Sequence, residues 1–519
     1  MTETTSENGI QLLDAAIQLH PKDQVAIVKQ EIMAGTDLRD DRPGAETSDV
    51  LVRQSIPAGH KIALKKIPAG AEVLRYGHKI GVASQAIEPG DWVHSHNLVV
   101  GDMSRDFNIR VSQSSGDRAS IEPVRTFSGF RRPDGRAGTR NFIIVISTVS
   151  CSAQTAQAIA DHFTPELLAA YPHVDGVLAI THYSGCTMPP GSLAYQYLER
   201  MLLNLARHPN VGAVLYVSLG CEVMQIAPVL QAAHLDIPVL TIQELGGIQK
   251  TTAAGIRLVE SLLPTVNACH RTPVPMSKLT IALQCGGSDG WSGVTANPLV
   301  GLVADQVVAA GGTVVLAETP EIYGAEDLLT MRVVSQQVGE KLVERIRWWQ
   351  SQAALLGFSL DNNPTPGNKA GGLTTIFEKS LGAIAKGGST PLMAVYEYAE
   401  LIDSNGLVFM DTPGYDPAAV SGQVAGGSNL VLFTTGRGSV FGGGLAPCIK
   451  IASNSRTFTN MSADMDFNAG DILDGVSMAV CRDRLLELLL QIASGESSRS
   501  EQKISRQMEF IPWQPGAML

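Results

Sequence analysis

A chain of 519 residues exceeds what one hydrophobic core can organise, since single cores stop growing near 250–300 residues, so two or three domains are expected. Apolar residues make up 44%, charged residues 17% and aromatics 5%, with 51 glycines, which is the composition of a glycine-rich α/β enzyme and not of a disordered or fibrous chain. The net charge of -11 speaks against a nucleic-acid partner, because the one basic cluster, Arg131, Arg132, Arg136 and Arg140, is too small to neutralise a phosphate backbone.

The first residues have neither the positive segment nor the apolar segment of a secretory signal, so a cytoplasmic location is expected. No apolar run approaches the ~20 residues that cross a bilayer, so no membrane association is expected. With no secretory context, the seven cysteines (Cys151, Cys186, Cys221, Cys269, Cys285, Cys448 and Cys481) are read as metal ligands or buried apolar residues and not as a disulfide framework.

Residues 1–100 carry an internal echo. Ile56-Pro57-Ala58-Gly59, Ile67-Pro68-Ala69-Gly70 and Ile87-Glu88-Pro89-Gly90 each precede a short apolar segment. Proline fixes φ and glycine permits a left-handed turn, so these corners fold short strands back on one another into a small all-β module. The pattern resembles the SAF domain, a β-clip fold. Within it, His60 is a candidate substrate contact, and His94 and His96 share a strand face because side chains alternate with period two. Residues 101–126 are polar, without a periodic apolar face, and read as a linker.

A second domain is expected over 127–272. Apolar strands over 142–147, 176–180 and 212–217 alternate with helical patterns over 153–163 and 192–207, which predicts a parallel sheet covered on both faces. Each strand runs into a cysteine: Cys151, Cys186 and Cys221. Right-handed crossovers place all strand ends on one edge, so the three thiols are expected to face a common crevice. Glu222 and His182 adjoin two of them as harder ligands.

The third domain, 277–512, begins with a strand over 279–283 that runs into Cys285-Gly286-Gly287-Ser288-Asp289, repeating the design with a fourth thiol. The wide spacing is unlike a zinc finger or a ferredoxin, so the metal cannot be named from it. A strand over 312–316 ends at Glu318-Thr319-Pro320-Glu321, and a helix is expected over 334–350. Residues 363–372 form a polar glycine loop holding Asn368 and Lys369, without the residue order of a P-loop. A strand over 430–433 runs into Thr435-Gly436-Arg437, whose guanidinium fork suits a carboxylate. An acidic turn follows over 464–470.

The segments 129–141, 182–186, 220–222, 284–298, 363–372 and 433–438, behind an SAF-like front, resemble the altronate and galactarate dehydratase family over nearly the whole chain. Glu318 to Glu321 with Tyr323-Gly324-Ala325-Glu326 looks closer to the altronate branch. The resemblance implies a small N-terminal all-β SAF (β-clip) domain followed by two α/β domains with largely parallel sheets. It implies a hydro-lyase that eliminates a group β to a carboxylate. The expected conversion is D-altronate to 2-keto-3-deoxy-D-gluconate; galactarate, another aldonate or aldarate, and (2R)-sulfolactate are the alternatives within the family. A non-catalytic sugar-acid or metal sensor is the alternative outside it. Iron is the implied cofactor, as Fe2+ or an iron–sulfur cluster, with Mn2+ as a substitute. The implied partners are a small-molecule sugar acid and further copies of the chain.

An elimination needs a base at C2, positive charge for the developing enolate and an acid for the departing hydroxide. The expected assignments are His182 or Lys369 as base with Asp289 assisting, and Arg437, Thr435, Ser288, Asn368 and His60 as substrate contacts. Cys151, Cys186, Cys221, Cys285 and Glu222 are the expected metal ligands.

Overall fold

The computed structural model describes residues 10–40, 49–104, 106–112, 124–502 and 510–515. The front module is built from short strands in three small sheets. Its corners work as the sequence suggests. Ile32 pairs with Ile56 and Ile67 with Ile87 across isolated bridges, all four side chains are buried, and the following Gly35, Gly59, Gly70 and Gly90 adopt φ between 80 and 87°. Ile32-Met33-Ala34-Gly35 is thus a fourth corner, hidden from the sequence reading because it lacks the proline.

The stretch expected to be a linker is in part a structural strap. Arg110 N–H donates to Thr330 O at 2.9 Å, Ser112 N–H donates to Val333 O at 2.7 Å, and Val111 bridges Val333, so these residues pair with the third domain. Within that polar stretch, 113–123 and position 105 lie outside the described residues.

The second domain is a four-stranded parallel sheet. Strand β1 (Phe142–Ser147) is fully buried and lies between β2 (Gly176–Ile180) and β3 (Val211–Ser218), with β4 (Val239–Thr241) beyond β3. One face packs on α1 (Ala153–Asp161) and α4 (Ile248–Asn267), through Ile143, Val145, Ile159 and Val259. The other packs on α2 (Leu193–Ala206), and its core continues into the third domain through Tyr398, Val420 and Phe433. Between α2 and α4 lies α3 (Ile226–Ala232).

The third domain is built on a seven-stranded parallel sheet. In chain order its strands are β5 (Thr280–Cys285), β6 (Thr313–Leu316), β7 (Leu392–Tyr396), β8 (Gly406–Met410), β9 (Leu430–Thr435), β10 (Cys448–Ala452) and β11 (Phe467–Asn468); in space they lie 7-8-6-5-9-10-11. Helix α5 (Ala296–Ala309) carries the chain from β5 to β6 on one side, whereas β9 continues to β10 on the other. The order therefore reverses between β5 and β9. A crevice opens beyond the carboxyl ends of strands at such a switch point. The amphipathic helix expected over 334–350 is α6 (Gln336–Leu355), capped by Ser335, whose hydroxyl accepts from Val338 N–H.

Candidate active site

At the switch point β5 ends in Cys285, and three other segments bring charge to it. Glu318 follows β6 in a left-handed conformation, φ 69°, that non-glycine residues rarely adopt, and its backbone is held there by Thr412. Helix α7 (Ile376–Ile384), with the turn Ala385–Gly387 after it, contributes Lys379 and Lys386. All nine residues of α7 are buried, so its charged side chains must find partners inside the protein. Lys386 Nζ donates to Cys285 Sγ at 2.8 Å. Lys379 Nζ donates to Glu321 Oε1 at 2.5 Å and to Asn363 Oδ1 at 2.9 Å, and Asn363 Nδ2 donates to the same Glu321 oxygen at 2.8 Å.

Glu318 is the exception in this network. Both its carboxylate oxygens are buried without a hydrogen-bond partner among the described residues. Burial, and after it the charges of Glu321 and Asp416, raise its pKa well above the ordinary carboxylate range. Burial pushes the Cys285 thiol up to about 11 against the pull of Lys386. Burial also works against the two ammoniums, but Glu321 at Lys379 and Cys285 at Lys386 reverse it, and both pKa values end above that of a free lysine.

Ligand atoms of Cys285, Glu318 and Glu321 lie within 4.8 Å of one another, a spacing a cation would accept. The charge does not suit one. Two of the three donors are already held by ammonium groups, so a dication would sit against two positive charges that have no other acidic partner at hydrogen-bond distance among the described residues. The two ammoniums held against Glu321 and Cys285 oppose a further dication, so a resident metal does not fit this donor set.

Beside this pocket, the chain after Cys285 is zipped to the loop after β9. Gly286 N–H donates to Thr434 O at 3.1 Å, and the Gly436 and Arg437 N–H groups donate to Gly287 O at 3.1 and 2.9 Å. A Cβ on Gly286 would stand 2.2 Å from an Asp416 carboxylate oxygen, so only glycine allows that carboxylate, at the start of α8 (Asp416–Ala425), to lie against the loop. Asn368 Nδ2 donates to Ser288 O at 2.8 Å, while the Ser288 hydroxyl is buried without a partner among the described residues. The structure thus brings Ser288, Asn368, Thr435 and Arg437 into one loop cluster. Residues 363–372 are not an open loop: Pro366–Ala370 is a short helix closed by a capping box between Thr365 and Asn368. Lys369 is half-buried on that helix and Arg437 is exposed.

Two of the expected roles meet side chains that are already engaged. Asp289 accepts from Trp291 N–H, Ser292 N–H and hydroxyl and Ser453 hydroxyl on Oδ1 and from Asn454 Nδ2 on Oδ2, all at 2.9–3.1 Å, so it ties the turn together. His60 is buried, with Nδ1 accepting from Trp92 Nε1 at 3.2 Å and Nε2 3.3 Å from Ala370 O, so it docks the front module on the third domain.

The four strand-end thiols do not form one set. Cys285 is buried in the third-domain sheet, whereas Cys151, Cys186 and Cys221 are exposed at the edge of the second. The expected ligand set drew thiols from both α/β domains, and the structure keeps Cys285 in a different sheet from the other three. His182 belongs to the second sheet, where burial, partly offset by a Ser147 backbone contact, pushes its pKa to about 4. Glu222 accepts from the Thr148 hydroxyl, Leu219 N–H and Gly220 N–H, so it fastens its own loop. Cys448 and Cys481 are buried, and Cys269 lies 3.8 Å from an Arg132 guanidinium nitrogen.

Sequence reasoning missed Lys379, Lys386 and the importance of Glu318 and Glu321. A signal was present: Glu378, Lys379 and Lys386 stand among the apolar residues Ile376-Phe377 and Leu381 to Ile384.

Comparison with known proteins finds family matches over almost the full chain. Residues 14–101 match the SAF domain of altronate/galactarate dehydratases, 129–267 the second domain of D-galactarate dehydratase/altronate hydrolase, and 276–518 the C-terminal domain of D-galactarate/altronate dehydratase. The chain is 34% identical to an altronate dehydratase of Bacillus subtilis (strain 168) over 95% of its own length and 98% of that protein's. It is 33% identical to an L-threo-forming galactarate dehydratase of Escherichia coli (strain K12), over 92% and 93%. It is 31% identical to the (2R)-sulfolactate sulfo-lyase subunit beta of Chromohalobacter salexigens, over 73% and 95%. With three family domains in order and a third of its residues shared along its length, the chain belongs to the altronate/galactarate dehydratase family of enzymes.

Proposed function

We propose that the protein is a sugar-acid dehydratase acting on a hexonate such as D-altronate, which loses water across C2 and C3 to give 2-keto-3-deoxy-D-gluconate. The observation that carries this reading is the buried group of Glu318, Lys386, Cys285, Lys379 and Glu321 at the switch point of the third sheet. The greater coverage of the altronate dehydratase relative supports the aldonate over the aldarate.

Glu318 has the environment of a general base. Its free, desolvated oxygens and raised pKa make it a better proton acceptor for C2–H than a solvated carboxylate. The Lys386 and Lys379 ammoniums supply positive charge where the enolate develops, and Lys386 returns a proton to the departing hydroxide so that water leaves. The enol then takes a proton at C3 and becomes the 2-keto acid. Arg437 and the free Ser288 hydroxyl, on the adjoining loops, clamp the carboxylate. Asn363 is the half-buried member of the network, and the remaining members are shut away from water.

The test is a panel of aldonates, aldarates and sulfolactate, incubated anaerobically with ferrous iron and followed for 2-keto acid and sulfite. Fastest turnover of D-altronate is expected. A faster aldarate, or sulfite release, displaces the hexonate; tight binding without turnover points to a sensor.

A further inference from the structure

We propose that Cys285 and Lys386 are the two ends of an oxidative cross-link, in which one oxygen atom bridges Sγ and Nζ and takes the Lys386 ammonium out of the pocket. Lys386 Nζ is 2.8 Å from Cys285 Sγ and has no other hydrogen-bond partner among the described residues. Two further nitrogen–sulfur contacts, Gln243 Nε2 to Cys221 and Arg132 Nη1 to Cys269, are 3.4 and 3.8 Å long. Sulfur is larger than oxygen, yet the Cys285 pair is as close as an ordinary N–H···O bond. Such a separation approaches that of two atoms bonded to a common third atom, whereas a direct S–N bond would draw both side chains out of position.

Both ends are held in place. Cys285 closes β5 at 2% exposure, and Lys386 sits at 1% in the turn after α7. A Cβ on Gly301 of α5 would stand 2.2 Å from Ala385 O, so only glycine lets that turn seat directly on α5. In the elimination above, Glu318 and Lys386 move the protons and Cys285 has no step. Its surroundings are not those of a cysteine used as a small apolar residue. Sγ donates to Glu321 Oε2 at 3.9 Å, and an oxygen of Glu318, both of whose oxygens are buried without a partner among the described residues, lies within 4.8 Å of it.

Burial keeps the thiol protonated, its pKa pushed up to about 11, so it is no general nucleophile for bulky reagents. Dioxygen is small and uncharged and passes through packed interiors that shut such reagents out. Lys386 enters as the amine, its ammonium proton going to Glu318, whose charge already acts on it. One dioxygen then balances the step. The S–H bond, one N–H bond and the O–O bond break, while an S–O and an O–N bond form. Sulfur and nitrogen each give up two electrons; one oxygen stays as the bridge and the other leaves with both hydrogens as water. Four equivalents of a thiol reductant reverse the change, restoring thiol and amine and releasing the bridging oxygen as water.

The effect on turnover rests on the reading of Lys386 as the acid; the cross-link itself does not. The test is peptide mapping of the full chain by mass spectrometry, before and after exposure to dioxygen, with the exposed Cys151, Cys186 and Cys221 first blocked by iodoacetamide. The peptides carrying Cys285 and Lys386 should join with a gain of about 14 Da, one oxygen less two hydrogens, and part again in dithiothreitol. Cys285→Ser and Lys386→Arg should each abolish the joined pair, and the wild-type map decides the matter even where a variant fails to fold. Turnover should fall in proportion to the cross-linked fraction and return with the reductant. A cross-linked protein that keeps its full turnover upholds the link and removes Lys386 from the role of acid. Separate peptides after dioxygen, a joined pair lighter by about 2 Da, which marks a direct S–N bond, or a link that persists in Lys386→Arg overturns the proposal.

Discussion

Glu318 and Cys285 show how much burial can do to ordinary side chains. Replacing Glu318 with Gln keeps the shape and removes the base, so kcat should fall at least ~100-fold with KM little changed, and exchange of the C2 proton with deuterated solvent should stop. If Glu318→Gln still exchanges that proton, the base lies elsewhere, and Lys369 on the neighbouring short helix is the next to replace. The residues that sequence could offer for this role were those beside glycines and cysteines, because such neighbours are visible in a linear pattern. Asp289 carried every such mark and is a turn anchor with five donors on it. Glu318 lacks them. Its importance comes from a left-handed backbone, held by Thr412 far along the chain, and from buried oxygens without a partner among the described residues.

At the scale of elements, strands, helix order and the turn-and-strand rhythm of the front were legible because they rest on local periodicity. What was not legible is how elements meet. Helix α7 serves two partners: Lys379 faces the pocket, while Glu378 receives Lys61 at 2.9 Å and Arg75 from the front module, with the Thr374 N–H and hydroxyl as further donors. Lys61 also donates to Gly372 O at 2.7 Å and Arg75 to Gly290 O at 2.9 Å, so the clamp holds both loops that border the pocket. Burial opposes the Glu378 charge, but Lys61 and Arg75 win and hold its carboxyl down to about 2. A lowered carboxylate pKa stabilises the fold above the unfolded value near 4.5, and that contribution disappears as pH falls from there toward 2. Glu378→Ala leaves two cations buried and unpaired, so urea denaturation should show a loss of ~3–5 kcal/mol, and limited proteolysis should release the front module first. Unchanged stability would mean that the module is held by its apolar contacts alone.

For the whole molecule, the second and third domains meet across a buried histidine. His208 Nε2 lies 3.0 Å from Ser428 O and Nδ1 accepts from Asn210 N–H at 3.1 Å, while Asn210 Nδ2 donates to Leu445 O at 2.9 Å and Asn429 O at 3.2 Å. This set of bonds needs the neutral ring protonated at Nε2, since a proton on Nδ1 would face the Asn210 N–H. Burial is the main cause that pushes its pKa to about 3; the contact with Ser428 works against it, and the nearby Arg136 and Arg132 add to it. The sign follows directly. The unfolded chain binds this proton near pH 6.5 and the folded protein resists it, so stability is full above 6.5 and declines as pH falls toward 3. Each such histidine contributes a slope of about 1.4 kcal/mol per pH unit in that window, and His182, pushed to about 4, acts in the same direction. Denaturation followed from pH 7 to pH 5 should therefore show a loss of stability from the histidines, offset in part by Glu318, whose raised pKa lets the folded protein take up a proton as pH falls. His208→Gln, which keeps a donor toward Ser428 and carries no titrating group, should lower stability at pH 7 but flatten the slope by the share of one proton, about 1.4 kcal/mol per pH unit, while His182 and His94, both pushed to about 4, and His60, also lowered, keep theirs. A slope that His208→Gln leaves unchanged would show that the domain interface does not carry the acid sensitivity.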